Sequence, residues 1–131
     1  MHSFSIRTLQ HGQFLDITDK IQSCVDEMKL QDGLVTVFVP HTTAGVTINE
    51  NADPDVIADI LKALEDAVPW KAGYRHLEGN AAAHVKASLM GSSVQLIVEG
   101  GRLQLGTWQS VFFCEFDGPR SRNVCLAASD A

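Results

Sequence analysis

No apolar run in this chain approaches the roughly 20 residues a membrane-spanning helix needs, so none is expected. Basic residues are scarce as well. Ten Lys+Arg stand against 16 Asp+Glu, a net charge of -6. A general nucleic-acid binder would carry a basic stripe to neutralise phosphates, so that class is not expected either. A local anion site stays open, because helix N-termini and neutral histidines do not enter the total. Cysteine is sparse and unpatterned: Cys24, Cys114 and Cys125 are odd in number and form no C-x-x-C. That excludes a disulfide framework, a zinc ribbon and a dithiol redox motif, and points to reduced thiols in a cytoplasmic protein. The opening "MHSFSIRTLQHG" lacks a basic segment followed by an apolar one, so it does not read as a secretory signal.

What is present fits one domain, residues 1–131, large enough to bury a core. "SFSIRTL" and "GQFLDI" read as two strands. Thr18 or Asp19 is placed to cap a helix whose apolar residues Ile21, Cys24, Val25 and Met28 repeat at helical spacing. "LVTVFV" is apolar nearly throughout, which predicts a central strand buried on both faces and ended by Pro40. "GVTIN" follows as a strand. Asp53-Pro54 then signals a helix start, with Val56, Ile57, Ile60, Leu61 and Leu64 as its buried stripe. Asn80 is placed to cap a helix over 81–90, closed by Gly91. "SVQLIVE", "GRLQLG", "QSVFFCEF" and "RNVCLAA" complete the set as strands, with a hairpin at Gly100-Gly101. About seven or eight strands with two or three segregated helices predict an α+β fold, mainly antiparallel.

Polar chemistry concentrates in two places. "HTTAGVTINENADPDV" begins with His41, Thr42 and Thr43 just past a strand end, where a rigid sheet presents side chains to a cleft. It goes on to Asn49, Glu50 and Asn51, whose amides beside a carboxylate suit a hydrogen-bonded cluster that holds a ligand or orients a histidine. His76 lies in a glycine-punctuated loop and His84 in the first turns of the following helix. Three histidines at element edges admit three readings. One is a His₃ site for a divalent metal such as zinc. Another is an anion site at the helix that Asn80 opens. The last is three unrelated, satisfied polar groups. Toward the end of the chain, Trp108 reads as packing or as a stacking surface for a planar ring. Glu115 shares a strand face with Val111 and Phe113, and Arg120 and Arg122 are placed to clamp an anion or pair with carboxylates.

Taken together, "HTTAGVTINENADPDV", "GYRHLEGNAAAHVKASLMGSSVQL" and "GTWQSVFFCEFDGPRSRNV" resemble the YjbQ family, also called UPF0047, from about His41 to Val124. The resemblance implies a compact two-sheet α+β fold assembled as a homotrimer. It also implies weak thiamine-phosphate synthase activity, joining a hydroxymethylpyrimidine diphosphate to a thiazole phosphate with release of pyrophosphate. Carried over by position, His41, Thr42, Thr43, Asn49, Glu50, His76, Asn80, His84, Thr107, Trp108 and Gln109 become the cleft residues. His41, Glu50 and His84 would be catalytic, and His41, His76 and His84 would ligate metal. A divalent cation, zinc or magnesium, would neutralise the diphosphate of a phosphorylated small-molecule ligand. No lysine-rich or D-x-x-D diphosphate motif occurs within these three stretches.

Overall fold

The computed structural model describes residues 1–131. Its elements run β1 (His2–Arg7), β2 (Gln13–Asp16), α1 (Thr18–Met28), β3 (Gly33–Phe38), β4 (Ala44–Glu50), α2 (Pro54–Ala67) and α3 (Ala81–Met90). The remaining strands are β5 (Ser93–Glu99), β6 (Arg102–Leu103), β7 (Gln109–Glu115) and β8 (Ser121–Asp130). They form a five-stranded sheet, β1-β8-β3-β5-β6, and a three-stranded sheet, β2-β7-β4. Every pairing is antiparallel, as the hairpin and turn signals predict.

The two sheets face each other. Val35, Val37, Leu96, Val98, Val124 and Leu126 of the larger sheet meet Val46, Val111 and Phe113 of the smaller one, with Ile21 and Val25 of α1 in the same core. On the other side of the smaller sheet, Ala83 and Ala87 of α3 pack on Cys114 and Phe116. Strand β7 is therefore covered on both faces, which explains its unbroken "VFFCEF". Side-chain alternation sends Val111, Phe113 and Glu115 inward between the sheets. Strand β8 sends Arg122, Val124 and Leu126 to the same interior.

Three local expectations change. Strand β3 is central, yet its outer face is open, with Leu34 40% and Phe38 45% exposed. Nothing in the chain packs on that side, so an apolar run does not here mean two covered faces. The stripe on α2 is only half-buried and contributes no buried residue. Helix caps also differ. Asp53 accepts from the Asp55 N–H at 2.9 Å as expected, whereas α1 is preceded by Ile17 and Asn80 makes no capping bond to α3. Gly45 lets α3 come close: a Cβ there would lie 2.6 Å from the Gly91 carbonyl oxygen. No helix is long and apolar enough to cross a membrane.

Candidate functional site

His41, His76 and His84 line one cleft of about 450 Å³ at the end of the sandwich. Thr42, Thr43, Asn80, Glu78, Asp117, Arg120 and Arg122 complete its walls with Pro40, and no hydrophobic side chain takes part. The placement follows from the topology. His41 stands just past β3, His84 projects from α3, and His76 comes from the loop that precedes α3. The His76 and His84 rings meet edge-on with centroids 5.3 Å apart.

Behind the cleft lies an ion pair enclosed by the two sheets. Glu115 is fully buried and Arg122 is 3% exposed. Arg122 donates from Nε to Glu115 Oε1 at 2.9 Å, and from Nη2 to Glu115 Oε2 and to Thr43 Oγ1, the latter at 2.8 Å. Glu115 also accepts from the Thr8 hydroxyl at 2.8 Å and the Asp117 N–H at 3.0 Å. Burial alone would raise the Glu115 carboxyl. The bonds from Arg122, the Asp117 N–H and Thr8, with the guanidinium charge, outweigh it and hold the carboxyl below the usual range. Arg122 Nη1 donates to no protein acceptor, and Arg122 is one of the residues that line the cleft. A guanidinium anchored on one side and free on the other is suited to an anion.

His41 accepts a hydrogen bond at Nε2 from the Asn123 N–H, 2.9 Å away. Its pKa is lowered by burial first and by the Arg122 charge second. The ring is therefore neutral near pH 7, with its proton on Nδ1, a hydrogen-bond donor rather than a metal ligand at Nε2. No group of three or more His, Cys, Asp or Glu side chains converges with the spacing a metal needs. The His₃ set expected from sequence does not fit, because the acceptor lone pair of His41 is already engaged.

Asn80 points elsewhere than its predicted capping role. Its Nδ2 donates to Asp117 Oδ2 at 2.9 Å, and the same oxygen accepts from Arg120 at 3.1 Å. Its Oδ1 is enclosed without a partner. The N–H of Ala82, a fully buried residue in the first turn of α3, is likewise without an acceptor. Such an orphan donor at a positive helix end favours an anion or a water.

Not all the expected cleft residues gather here. Along the β4–β7 pair, Ala44 is opposite Glu115 while Glu50 is opposite Gln109. Six residue steps of strand separate the two ends, about 20 Å. Asn49, Glu50, Thr107, Trp108 and Gln109 occupy the far end, so within one chain they do not share the hollow of the histidines. There they serve local structure: the Gln109 side chain accepts from the Gly106 N–H at 2.8 Å, and the Asn49 side chain from the Glu50 N–H at 2.7 Å. Trp108 is 62% exposed. Conversely, Asp117 and Glu78 line the cleft without having been singled out for it. Arg122 and Glu115 were noticed, but not as a pair. The signal for them was a carboxylate and a guanidinium at inward positions of two strands that share one core.

The comparisons agree with this architecture. A model of the family described as "UPF0047 protein YjbQ-like" matches residues 2–131. This chain belongs to the YjbQ-like UPF0047 family. Among its relatives, UPF0047 protein YugU of Bacillus subtilis is 48% identical over 127 residues, 96% of each chain. A UPF0047 protein of Methanocaldococcus jannaschii is 48% identical over 122 residues, 93% of this chain and 88% of that one. The solved structure of an uncharacterized YjbQ/UPF0047 protein from Clostridium acetobutylicum superposes with a TM-score of 0.96. It is 53% identical, covering 98% of this chain and 100% of that one. A hypothetical protein from Aeropyrum pernix reaches 0.94 at 38% identity, over 99% and 98% of the two chains. The YjbQ-like fold is thus held in bacterial and archaeal proteins that are 53% and 38% identical to this chain.

Proposed function

We propose that this YjbQ-like protein binds a phosphorylated small molecule in the His41–His76–His84 cleft, with Arg122 as its anion anchor. The observation that carries this reading is a buried guanidinium whose Nη1 has no protein acceptor, in a cleft lined by polar side chains and Pro40. Formal charge in the cleft is balanced, since Glu78 and Asp117 oppose Arg120 and Arg122. Recognition therefore rests on aimed donors: Arg122, the His41 Nδ1–H, the Thr42 hydroxyl and the first turn of α3. Calorimetric titration with inorganic phosphate is expected to give one saturable site per chain. His84→Ala and Thr42→Val should each weaken it by about tenfold, the worth of one or two hydrogen bonds to a charge. His2→Ala, remote from the cleft, should leave it unchanged. Absence of saturable binding would remove the proposal.

The thiamine-phosphate synthase reading uses the same hollow for a diphosphate, with His41 and His84 handling protons. It is the weaker of the two, because Glu50 and Trp108 stand at the far end of the strands. Turnover of the two precursors, lost in His41→Ala, would restore it. A divalent cation, zinc or magnesium, is favoured by one observation only, the adjacency of His76 to His84 and of His76 Nε2 to Glu78 at 3.9 Å. Metal bound tightly enough to survive dialysis, and lost in His76→Ala, would favour it.

The homotrimer that the resemblance implies has a surface that suits it. Leu34 lies directly across from Ile97 on the open face of the larger sheet, with Phe38 further along β3. Exposed apolar residues grouped this way are suited to self-association. Light scattering at micromolar concentration should give three times the chain mass, and Ile97→Lys with Phe38→Lys should reduce it to one. A monomeric wild type would rule the assembly out.

A further inference from the structure

The phosphate-binding cleft is not the only space that reaches His41 and His84. A second hollow of about 480 Å³ shares His41, Thr42 and His84 with it. The rest of its lining is Ala44, Ala87, Ser88, Gly91 and Ser92. The two spaces differ in kind. Both guanidiniums and both carboxylates line the first, and the second has no Lys, Arg, Asp or Glu at all. Its walls are methyl groups, hydroxyls and backbone, set where small side chains leave room. The two histidines stand between a charged compartment and an uncharged one.

We propose that the two hollows form one bipartite site for a phosphomonoester, with the phosphate beside Arg122 and its esterified organic group in the chamber lined by Ala44, Ala87, Ser88 and Ser92. This rests on the phosphate reading above and goes beyond it by naming the ligand class. The organic part is small and uncharged, because the chamber has no Lys, Arg, Asp or Glu to pair with a charge. It carries hydroxyls, because Ser92 and the shared Thr42 offer polar atoms while Ala44 and Ala87 accept only its carbon faces. The ester oxygen joining the halves comes to lie between His41 and His84. The His41 Nδ1–H, fixed by the bond that Asn123 donates to Nε2, is the donor available to it. A short-chain polyol phosphate meets all these conditions.

The test uses the full chain and three probes: inorganic phosphate, glycerol 3-phosphate and glycerol. Wild-type protein is expected to bind glycerol 3-phosphate about tenfold more tightly than inorganic phosphate, and glycerol alone too weakly to measure. Ser88 and Ser92 are both exposed, so Ser88→Leu and Ser92→Phe fill the chamber without disturbing the core. Each should bring the preference to within about twofold while leaving inorganic phosphate binding as in wild type. Equal affinity of wild type for the two phosphates overturns the bipartite site and spares the phosphate reading. A preference that survives both substitutions also overturns it, because the organic group then sits elsewhere. Failure of inorganic phosphate and the ester alike removes the phosphate reading and this inference with it.

Discussion

Arg122→Met is expected to lower unfolding free energy by about 3–5 kcal/mol, the cost of leaving a buried charge without its partner. The charge left behind is Glu115, which sits between the sheets with no route to solvent. Methionine keeps much of the volume of arginine, so the loss is electrostatic rather than a cavity. Urea denaturation measures it. Adding Glu115→Gln to Arg122→Met removes the stranded charge and should recover about half of the loss, the amide oxygen accepting from the Asp117 N–H while its NH₂ turns to the Thr8 hydroxyl oxygen. Phosphate binding should vanish in both variants, so anion recognition and stability separate in one pair of proteins. Recovery of binding along with stability in the double variant would contradict the role given to Nη1.

Acid sensitivity follows from the same pair. The folded carboxyl of Glu115 titrates below its unfolded value. Its contribution is whole above an unfolded pKa of about 4.3 and declines as pH falls through the lower folded value. His41, also lowered, adds a term that is complete above about 6.5 and fades as pH falls toward its folded value, since the unfolded imidazole takes the proton first. Arg122→Met should reverse the carboxylate part of that profile, because burial without the guanidinium raises Glu115 and protonation then relieves the stranded charge.

Gly45→Ala is expected to cost about 1–3 kcal/mol in the same urea experiment, the usual penalty for forcing atoms into a filled space. The new methyl would meet the Gly91 carbonyl oxygen at 2.6 Å and Met90 Cβ at 3.1 Å. Both atoms belong to the end of α3, so the strand can accept the methyl only if the helix moves off. The Gly91 oxygen accepts from the Val46 N–H at 3.1 Å, and that bond would open as well. Because α3 carries His84, phosphate affinity should fall with stability. Unchanged stability would mean that α3 floats on the sheet rather than seating on Gly45.

Much of this architecture could be read from residue patterns. The Asp53-Pro54 start, the Gly100-Gly101 hairpin and the antiparallel order follow from local rules. The long-range pairing of β7 with both β2 and β4 does not, because alternation reports which face is covered and not by what. An apolar run such as "LVTVFV" therefore predicts two covered faces, while one face of β3 lies open. The histidines were found by their positions at element edges, and the chain gathers them into one hollow. Glu50 and Trp108 were grouped with them because motifs are read along a line. Strand β4 runs the polar stretch away from His41, and seven residues of extended chain are enough to carry Glu50 to the other end of the domain.

Strand β8 lies between β1 and β3, with His2 opposite Leu126 and Val37 opposite the same residue on the other side. Until the segment Ser121–Asp130 has left the ribosome, β1 has nothing to pair with and β3 lacks a neighbour. Nascent chains of this protein therefore cannot complete the larger sheet during synthesis. They must wait, with the facing edges of β1 and β3 unsatisfied, for β8 to slot into the gap. Such sequence-distant closure makes folding slow.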